Sequence, residues 1–187
     1  MDRKIFGGPR LAIAIVVGLF LLSQPAKAQV KLDKVAACKN VILVEQPLFG
    51  GAVIARHLET RDCGDRFTTT DRYVGLVCRA NREGAAEAGR ILEAVLLDPE
   101  QNKVWEKRIG TSFPPPAIYG AIDVWGILPI AADPAELSRQ MGPILAVGLI
   151  RIDGKPARER LGEWTFKVSL TGGEPTVIKF VLGSATP

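Results

Sequence analysis

Residues 164–182, WTFKVSLTGGEPTVIKFVL, decide the fold class. Apolar side chains occupy every second position of the first half: Trp164, Phe166, Val168 and Leu170. A period of two places them on one face of a strand whose other face meets water. Residues 171–175, TGGEP, are a turn-forming segment, and a second β-rich run follows at 176–182. The stretch therefore predicts a β-hairpin.

Outward from this hairpin, other short runs of strand length recur between turn residues. They cover residues 41–44, 52–58, 73–79, 91–97, 103–107, 118–127 and 144–152. In the third run Val74, Leu76 and Cys78 share one face. Such spacing, with no alternating strand–helix pattern, predicts an all-β sandwich. A small β-barrel is the alternative.

Two segments carry a helical signal. Residues 83–97 are rich in Ala, Glu and Leu, but Gly89 interrupts them and a turn-rich segment follows, so we predict a strand at 91–97. At 134–141, Asp133 suits the N-cap, Pro134 the first helical position and Glu136 the third. One short helix is expected there.

The first 28 residues have the pattern of an export signal. Arg3, Lys4 and Arg10 precede an uncharged apolar run at 11–22, and Ala26-Lys27-Ala28 fits a signal-peptidase site. The run is shorter than the ~20 residues of a membrane span. We expect a signal peptide at 1–28, an N-terminal lead at 29–40 and a single β-sandwich domain at 41–187, in the periplasm or secreted from a bacterium.

The positive charge of the chain lies mostly in this predicted signal. The whole chain carries 24 basic and 20 acidic residues, net +4. Four of the basic residues and one acid fall within residues 1–28, which leaves a net charge near +1 for the rest. Such a domain has no electrostatic footprint for nucleic acid or anionic lipid. No membrane span is expected after signal cleavage.

All three cysteines follow the predicted signal: Cys38, Cys63 and Cys78. Export favours an oxidising compartment, so one disulfide is expected. The position of Cys78 beside Val74 and Leu76 predicts a buried thiol. Cys38–Cys63 is the preferred bridge, and the other two pairings stay open.

No residue set predicts catalysis, a metal site or a cofactor. The single histidine, His57, falls in a predicted strand, and no Gly-x-Ser-x-Gly elbow occurs. A His57–Cys63 thiolate pair is conceivable, but their spacing gives no geometry. Zinc and copper sites need more His, Cys or Met ligands than this chain offers. Whether the protein is an enzyme is left open, with a non-catalytic role favoured.

Two short motifs resemble an immunoglobulin-like module of bacterial exported proteins. Residues 65–67 (DRF) and 71–74 (DRYV) resemble the entry to its second strand, and 162–168 (GEWTFKV) followed by Phe180 resembles its closing strands. The resemblance covers about residues 52–182. It implies an immunoglobulin/fibronectin III-like β-sandwich with one short helix, and it implies no substrate.

An exported, non-catalytic binding or accessory module is therefore the expected function, with a cell-envelope protein or a glycan as partner. The alternatives are a carbohydrate-binding module and a hydrolase that acts on glycans through carboxylates in loops. Trp105, Tyr119 and Trp125 form the possible sugar platform, because indole and phenol faces stack on sugar rings. Burial of the tryptophans in the core is the competing interpretation.

Overall fold

Two β-sheet layers and one helix make up the described part of the chain. The computed structural model describes residues 30–48, 53–82, 91–110, 121–152, 157–171 and 173–185. The elements are β1 (Val30–Leu48), β2 (Val53–Cys63), β3 (Arg66–Thr68), β4 (Tyr73–Arg82), β5 (Ile91–Leu97), β6 (Lys103–Gly110), β7 (Ala121–Pro129), α1 (Pro134–Ala146), a 3-10 turn (Ala157–Glu159), β8 (Gly162–Leu170) and β9 (Thr176–Gly183). The predicted signal peptide and Tyr119 lie outside the described residues.

The strands form two sheets. Sheet A has four strands in the order β2-β1-β4-β7, and sheet B has five in the order β3-β9-β8-β5-β6. All pairs of these strands are antiparallel except β3 with β9, which is parallel. The predicted all-β, sandwich-like class with one helix is confirmed.

A central core fills the space between the two sheets. Sheet A contributes Val74, Leu76, Cys78, Val124 and Leu128, and sheet B contributes Leu92, Leu96, Trp164, Phe166, Val168, Phe180 and Leu182. Trp164 stacks on Phe180 with ring centroids 6.2 Å apart, and Phe67 meets Phe180 edge-on at 5.5 Å. The predicted alternation in β4 and the predicted terminal hairpin are both confirmed.

A second cluster, here called the outer cluster, covers the opposite face of sheet A. It contains Val41, Leu58, Tyr73, Val77, Ile127, Leu137 and Leu145, with Leu43, Trp125, Met141 and Leu149 packed against it. Helix α1 and the β1–β2 hairpin supply this cover. Strand β4 is therefore buried on both faces, with every residue from Tyr73 to Cys78 buried.

Residues 30–40 of the N-terminal lead predicted at 29–40 form the first half of β1. This half pairs with β4 from Val30 opposite Arg82 to Cys38 opposite Gly75. A β-bulge between Leu32 and Lys34 breaks the alternation and makes the sequence look irregular. The second half of β1 leaves β4 and pairs with β2.

The strand predicted at 144–152 is wrong. Helix α1 has its N-cap at Asp133, whose carboxylate accepts hydrogen bonds from the N–H groups of Ala135 and Glu136, at 2.7 and 3.2 Å. It bends at Gly142 (φ 78°), resumes at Pro143 and ends at Ala146. The helix thus takes up the start of the apolar run, and only one bridge follows in the described residues, between Leu149 and Ile127. The run is apolar because it packs on sheet A, which either conformation would require.

Candidate functional site

The disulfide predicted between Cys38 and Cys63 is present. It joins directly opposed residues of β1 and β2, and their sulfur atoms are 2.05 Å apart. Cys38 is fully buried, whereas Cys63 is exposed. Cys78 is the free thiol and is buried, as predicted. The bridge fixes the point at which β1 leaves β4 and continues with β2.

Beyond this point, the hairpin is held over sheet A by two side chains. The Leu58 N–H donates to Asp123 Oδ2 at 3.3 Å, and Arg79 Nη2 donates to the Leu58 carbonyl at 3.1 Å. Both backbone groups of Leu58 therefore point away from β1. Because antiparallel pairs alternate, Leu43–Leu58 and Val41–Thr60 are non-hydrogen-bonded pairs.

It follows that the backbone N–H and C=O groups of Val41 and Leu43 point to the opposite edge of β1. Strand β4 no longer occupies that edge, since its pairing with β1 ends at Cys38. The phenolic oxygen of Tyr73 accepts the Val41 N–H at 3.2 Å. Within the described part of the chain, the N–H and C=O groups of Leu43 have no hydrogen-bond partner on this edge. As far as the described ranges extend, the edge is a short strand template that no other strand pairs.

A groove of about 540 Å³ runs along this edge, between β1 and helix α1. Its walls and floor are formed by Val41, Ile42, Leu43, Glu45, Arg72, Tyr73, Leu137, Gln140, Met141 and Leu145. Leu137 and Met141 before the bend of helix α1 and Leu145 after it all line the groove, so apolar side chains of the helix face the strand edge. The volume lies within the range typical of ligand sites. The groove therefore offers apolar contact beside open backbone groups.

One end of the groove carries a positive charge. The Arg72 guanidinium donates a hydrogen bond to Gln140 Oε1, and Gln140 Nε2 in turn donates to Glu136. Among the described residues Arg72 has no carboxylate within ion-pair distance. Asp71, its neighbour, is paired with Lys39 at 3.0 Å. Partial burial alone would raise the pKa of Asp71, but the Thr68 N–H and the Lys39 ammonium outweigh it and hold the pKa below its usual value.

A different cavity of about 450 Å³ lies where helix α1 begins. Its lining is mainly apolar and includes Ile130, Ile150 and Ala157. The Asp133 carboxylate at its rim is already engaged as the helix N-cap. Besides Asp133, Arg151 is the charged residue of the described lining, and the other lining residues are apolar, so this cavity offers mainly apolar packing.

The tryptophans of the predicted sugar platform do not share a surface. Trp105 packs against Phe166 in the central core, with ring centroids 6.5 Å apart, and reaches Gly126 on the inner face of β7. Trp125 belongs to the outer cluster, on the other face of the same strand, with the Lys107 ammonium 5.1 Å from its ring. Neighbouring positions of a strand face opposite ways, so β7 separates the two indoles. Tyr119 lies outside the described residues.

The remaining polar candidates have structural partners. His57 lies in β2, half-exposed, with Nε2 3.7 Å from Glu59 Oε1, and Cys63 is in the disulfide rather than free for a thiolate pair. Asp98 is fully buried but accepts from Glu100 N–H, Asn102 N–H and Arg160 Nη1 at 2.8–3.0 Å. It closes the β5–β6 turn. In the described ranges no three His, Cys, Asp or Glu residues are grouped as metal ligands would be.

The sequence alone does not predict the groove. Its members come from β1, β4 and helix α1, and Val41 and Tyr73 are 32 positions apart. In the sequence, Arg72 and Tyr73 stand out only as part of a strand-entry motif. The usable signal is the amphipathic stripe at Leu137, Met141 and Leu145, which indicates a covered helix face but not what lies beside it.

The chain matches no protein-family model and no curated protein sequence. Within the described residues, none of the helical segments has the length and apolar character that crossing a membrane requires.

Proposed function

We propose that the protein is an exported, non-catalytic accessory module that binds an extended segment of a cell-envelope protein by strand addition to β1. The observation that carries the proposal is the open edge at Leu43 beside an apolar groove. An added strand gains main-chain hydrogen bonds from such an edge. Its alternate side chains then enter the apolar floor, which supplies selectivity.

The architecture supports an interaction role for this surface. Ile42, which is 39% exposed, and Leu43 lie at the groove. The neighbouring edge of Val41 is closed by Tyr73, so the opening is local. A short, bounded edge is compatible with a specific partner, whereas a long open edge invites aggregation.

The disulfide supports export. Bridges such as Cys38–Cys63 persist in oxidising compartments and are rare in the cytosol. Kinship with immunoglobulin-like modules is part of the same proposal. The two packed sheets support it at the level of the sandwich class, and such folds carry many unrelated functions.

The proposal is tested by site-specific photo-crosslinking in the native organism. A photoreactive phenylalanine replaces Ile42 in the groove or, as a control, Val181 on the outer face of sheet B. The two side chains are 39% and 44% exposed, so they have similar access to solvent. We expect a protein adduct from position 42 alone, mapped by mass spectrometry to one extended segment of the partner.

A groove-filling variant makes the test specific. Met141→Trp places a larger ring between helix α1 and Leu43, and we expect it to abolish the adduct. Val181→Trp is the matched control and should preserve it. A synthetic peptide of the crosslinked segment should bind the purified protein. Two results would contradict strand addition at this groove. One is equal crosslinking from positions 42 and 181, and the other is an adduct that still forms in the Met141→Trp variant.

A further inference from the structure

The groove is closed at the end where β4 begins. Strand β4 starts at Tyr73 and pairs with β1 from Cys38 toward the N-terminus of β1. A strand added beside Leu43 would therefore lie on the line that β4 would follow if it began earlier. Such a strand meets Tyr73, whose phenol already accepts the Val41 N–H. The added segment must stop there or turn away from the sheet.

The direction of the segment follows from the same geometry. Strand β4 is antiparallel to β1, and an added antiparallel strand would run in the same direction as β4. Its carboxyl end would then meet the start of β4. A parallel strand would bring its amino end there, and antiparallel pairing is slightly the more stable of the two.

Charge selects between these directions. Arg72, immediately before β4, lines the closed end of the groove. Its guanidinium is bonded to the neutral Gln140 amide and has no carboxylate partner among the described residues. A guanidinium presents parallel N–H donors that fit the two oxygens of a carboxylate. An amino terminus at the same place would set two positive charges side by side.

We propose that the groove binds the free C-terminal tail of its partner, with the terminal carboxylate on Arg72 and alternate apolar side chains on Leu137, Met141 and Leu145. This rests on the proposed function and adds the class of segment and its orientation. A chain terminus fits the closed end, whereas an internal acidic side chain requires the chain to continue past Tyr73.

Two display libraries of random heptapeptides test the proposal against the purified protein. In the first, each heptapeptide ends in a free carboxylate. In the second, the same heptapeptides are followed by a Gly-Ser linker and a folded domain. We expect the first library to enrich peptides with alternating apolar residues and the second to give no enrichment.

The selected peptide is then synthesised as the acid and as the C-terminal amide. For the wild-type protein we expect the acid to bind up to about fivefold more tightly, the upper end of the range for an exposed charge pair. Arg72→Gln should bring the ratio of acid affinity to amide affinity close to one. Arg139→Gln is the matched control, because Arg139 lies on the same helix as Gln140 but pairs with Glu136 outside the groove lining.

The outcomes separate the two proposals. Enrichment from the linker-blocked library, or an acid-to-amide ratio that Arg72→Gln does not change, overturns the C-terminal assignment and leaves strand addition standing. No enrichment from the free-carboxylate library also overturns it. Strand addition itself fails if, in addition, position 42 gives no crosslink that Met141→Trp removes.

Discussion

Arg79 and Asp123, opposite each other on β4 and β7, form a bidentate ion pair that occupies both backbone groups of Leu58. Arg79 Nε and Nη2 donate to the two Asp123 oxygens at 2.7 and 2.9 Å. The pair then bonds the N–H and C=O of Leu58, as a neighbouring strand would. Two side chains of one sheet thus hold the β1–β2 hairpin over its outer face, and this placement creates the groove.

The first prediction concerns this pair. Asp123→Ala leaves Arg79, 27% exposed, without its carboxylate and Leu58 without an acceptor. We expect the free energy of unfolding to fall by about 2 kcal/mol, less than for a fully buried pair. Urea unfolding measures the loss, and amide hydrogen exchange at Leu58 should accelerate. The hydrogen bond to Asp123 raises the pKa of Arg79.

The control for that experiment is an exposed pair. Glu93→Ala removes the Arg108–Glu93 contact of 3.0 Å on the open face of sheet B. We expect no measurable change in stability, because solvent screens such pairs. If Asp123→Ala also left the free energy of unfolding unchanged, or if the rate of amide exchange at Leu58 stayed the same, the pair would not hold the hairpin.

The second prediction concerns a close approach between β4 and β1. A Cβ atom on Gly75 would lie 2.1 Å from Val41 Cγ2, which forces one of the two to move. Gly75→Ala should cost about 2 kcal/mol of stability through overpacking. Val41→Ala should cost about 1–2 kcal/mol by itself, since it removes a buried side chain.

The double variant separates this contact from a general weakness of the strand. With the Val41 methyl groups gone, a methyl group at position 75 has room, so Gly75→Ala should cost much less in the Val41→Ala background. Denaturant unfolding of the four proteins gives the coupling energy. Strictly additive costs would mean that the strain at Gly75 arises elsewhere.

How far the sequence predicts the fold depends on the range of the deciding contacts. The alternation at Trp164–Leu170 and at Val74–Cys78 depends on neighbours two positions apart. In the structure, the apolar residues of each strand share the face that packs in the central core. The N-cap of helix α1 is also local, so its start at Pro134 is predictable. By contrast, residues 30–40 and 144–152 owe their conformation to partners far along the chain.

The groove could not be predicted from the sequence, because it too depends on contacts between residues far apart in the chain. Leu43 is an ordinary apolar position until β4 is known to leave β1 at Cys38. Trp105 and Trp125 suggest an aromatic surface in the sequence because both are large rings in neighbouring predicted strands. Only the placement of β7 between them shows that they belong to different clusters.

The third prediction concerns the cysteines. Burial raises the pKa of the Cys78 thiol to about 12, and the charge of Asp123 adds to this effect. A thiolate is the reactive form, so native protein at pH 8 should not react with a thiol reagent. In guanidinium chloride one thiol should appear per chain, because Cys38 and Cys63 are bridged. Rapid labelling of the native protein would place Cys78 in contact with solvent.

The raised pKa of Cys78 makes the free energy of unfolding depend on pH. The folded state binds the thiol proton more tightly than the unfolded chain, whose thiol pKa is near 9. This contribution to stability is complete below pH 9 and declines as the pH rises toward 12. Cys78→Ala should flatten the fall in the free energy of unfolding between pH 9 and 11, measured against wild type in guanidinium chloride.

The fourth prediction concerns the disulfide that sets where β1 changes partner. The bridge closes a loop with a separation of 25 residues. Constraint of the unfolded chain over such a loop contributes about 3.5 kcal/mol. The Cys38→Ala/Cys63→Ala variant should therefore unfold at lower urea concentration, and the β1–β2 hairpin should lose protection in hydrogen exchange before β8 and β9 do.

The fifth prediction concerns Asp71 and low pH. The Asp71 carboxylate accepts the Thr68 N–H at 2.8 Å and pairs with Lys39, and its pKa lies below the usual 3.8. The folded state therefore favours the ionised form, and the resulting stability is present above pH 4 and is lost as the pH falls through the lower, folded pKa. Asp71→Asn should reduce the free energy of unfolding at pH 6 and reduce its dependence on pH between about 4 and 2.

Asp65→Asn is the control, since the side chain of Asp65 is exposed in the turn before β3. Unfolding curves of both variants and the wild type at pH 6 and pH 3 test this prediction. If the Asp71→Asn protein loses as much stability between pH 6 and pH 3 as the wild type, the Asp71 carboxylate is not the group responsible.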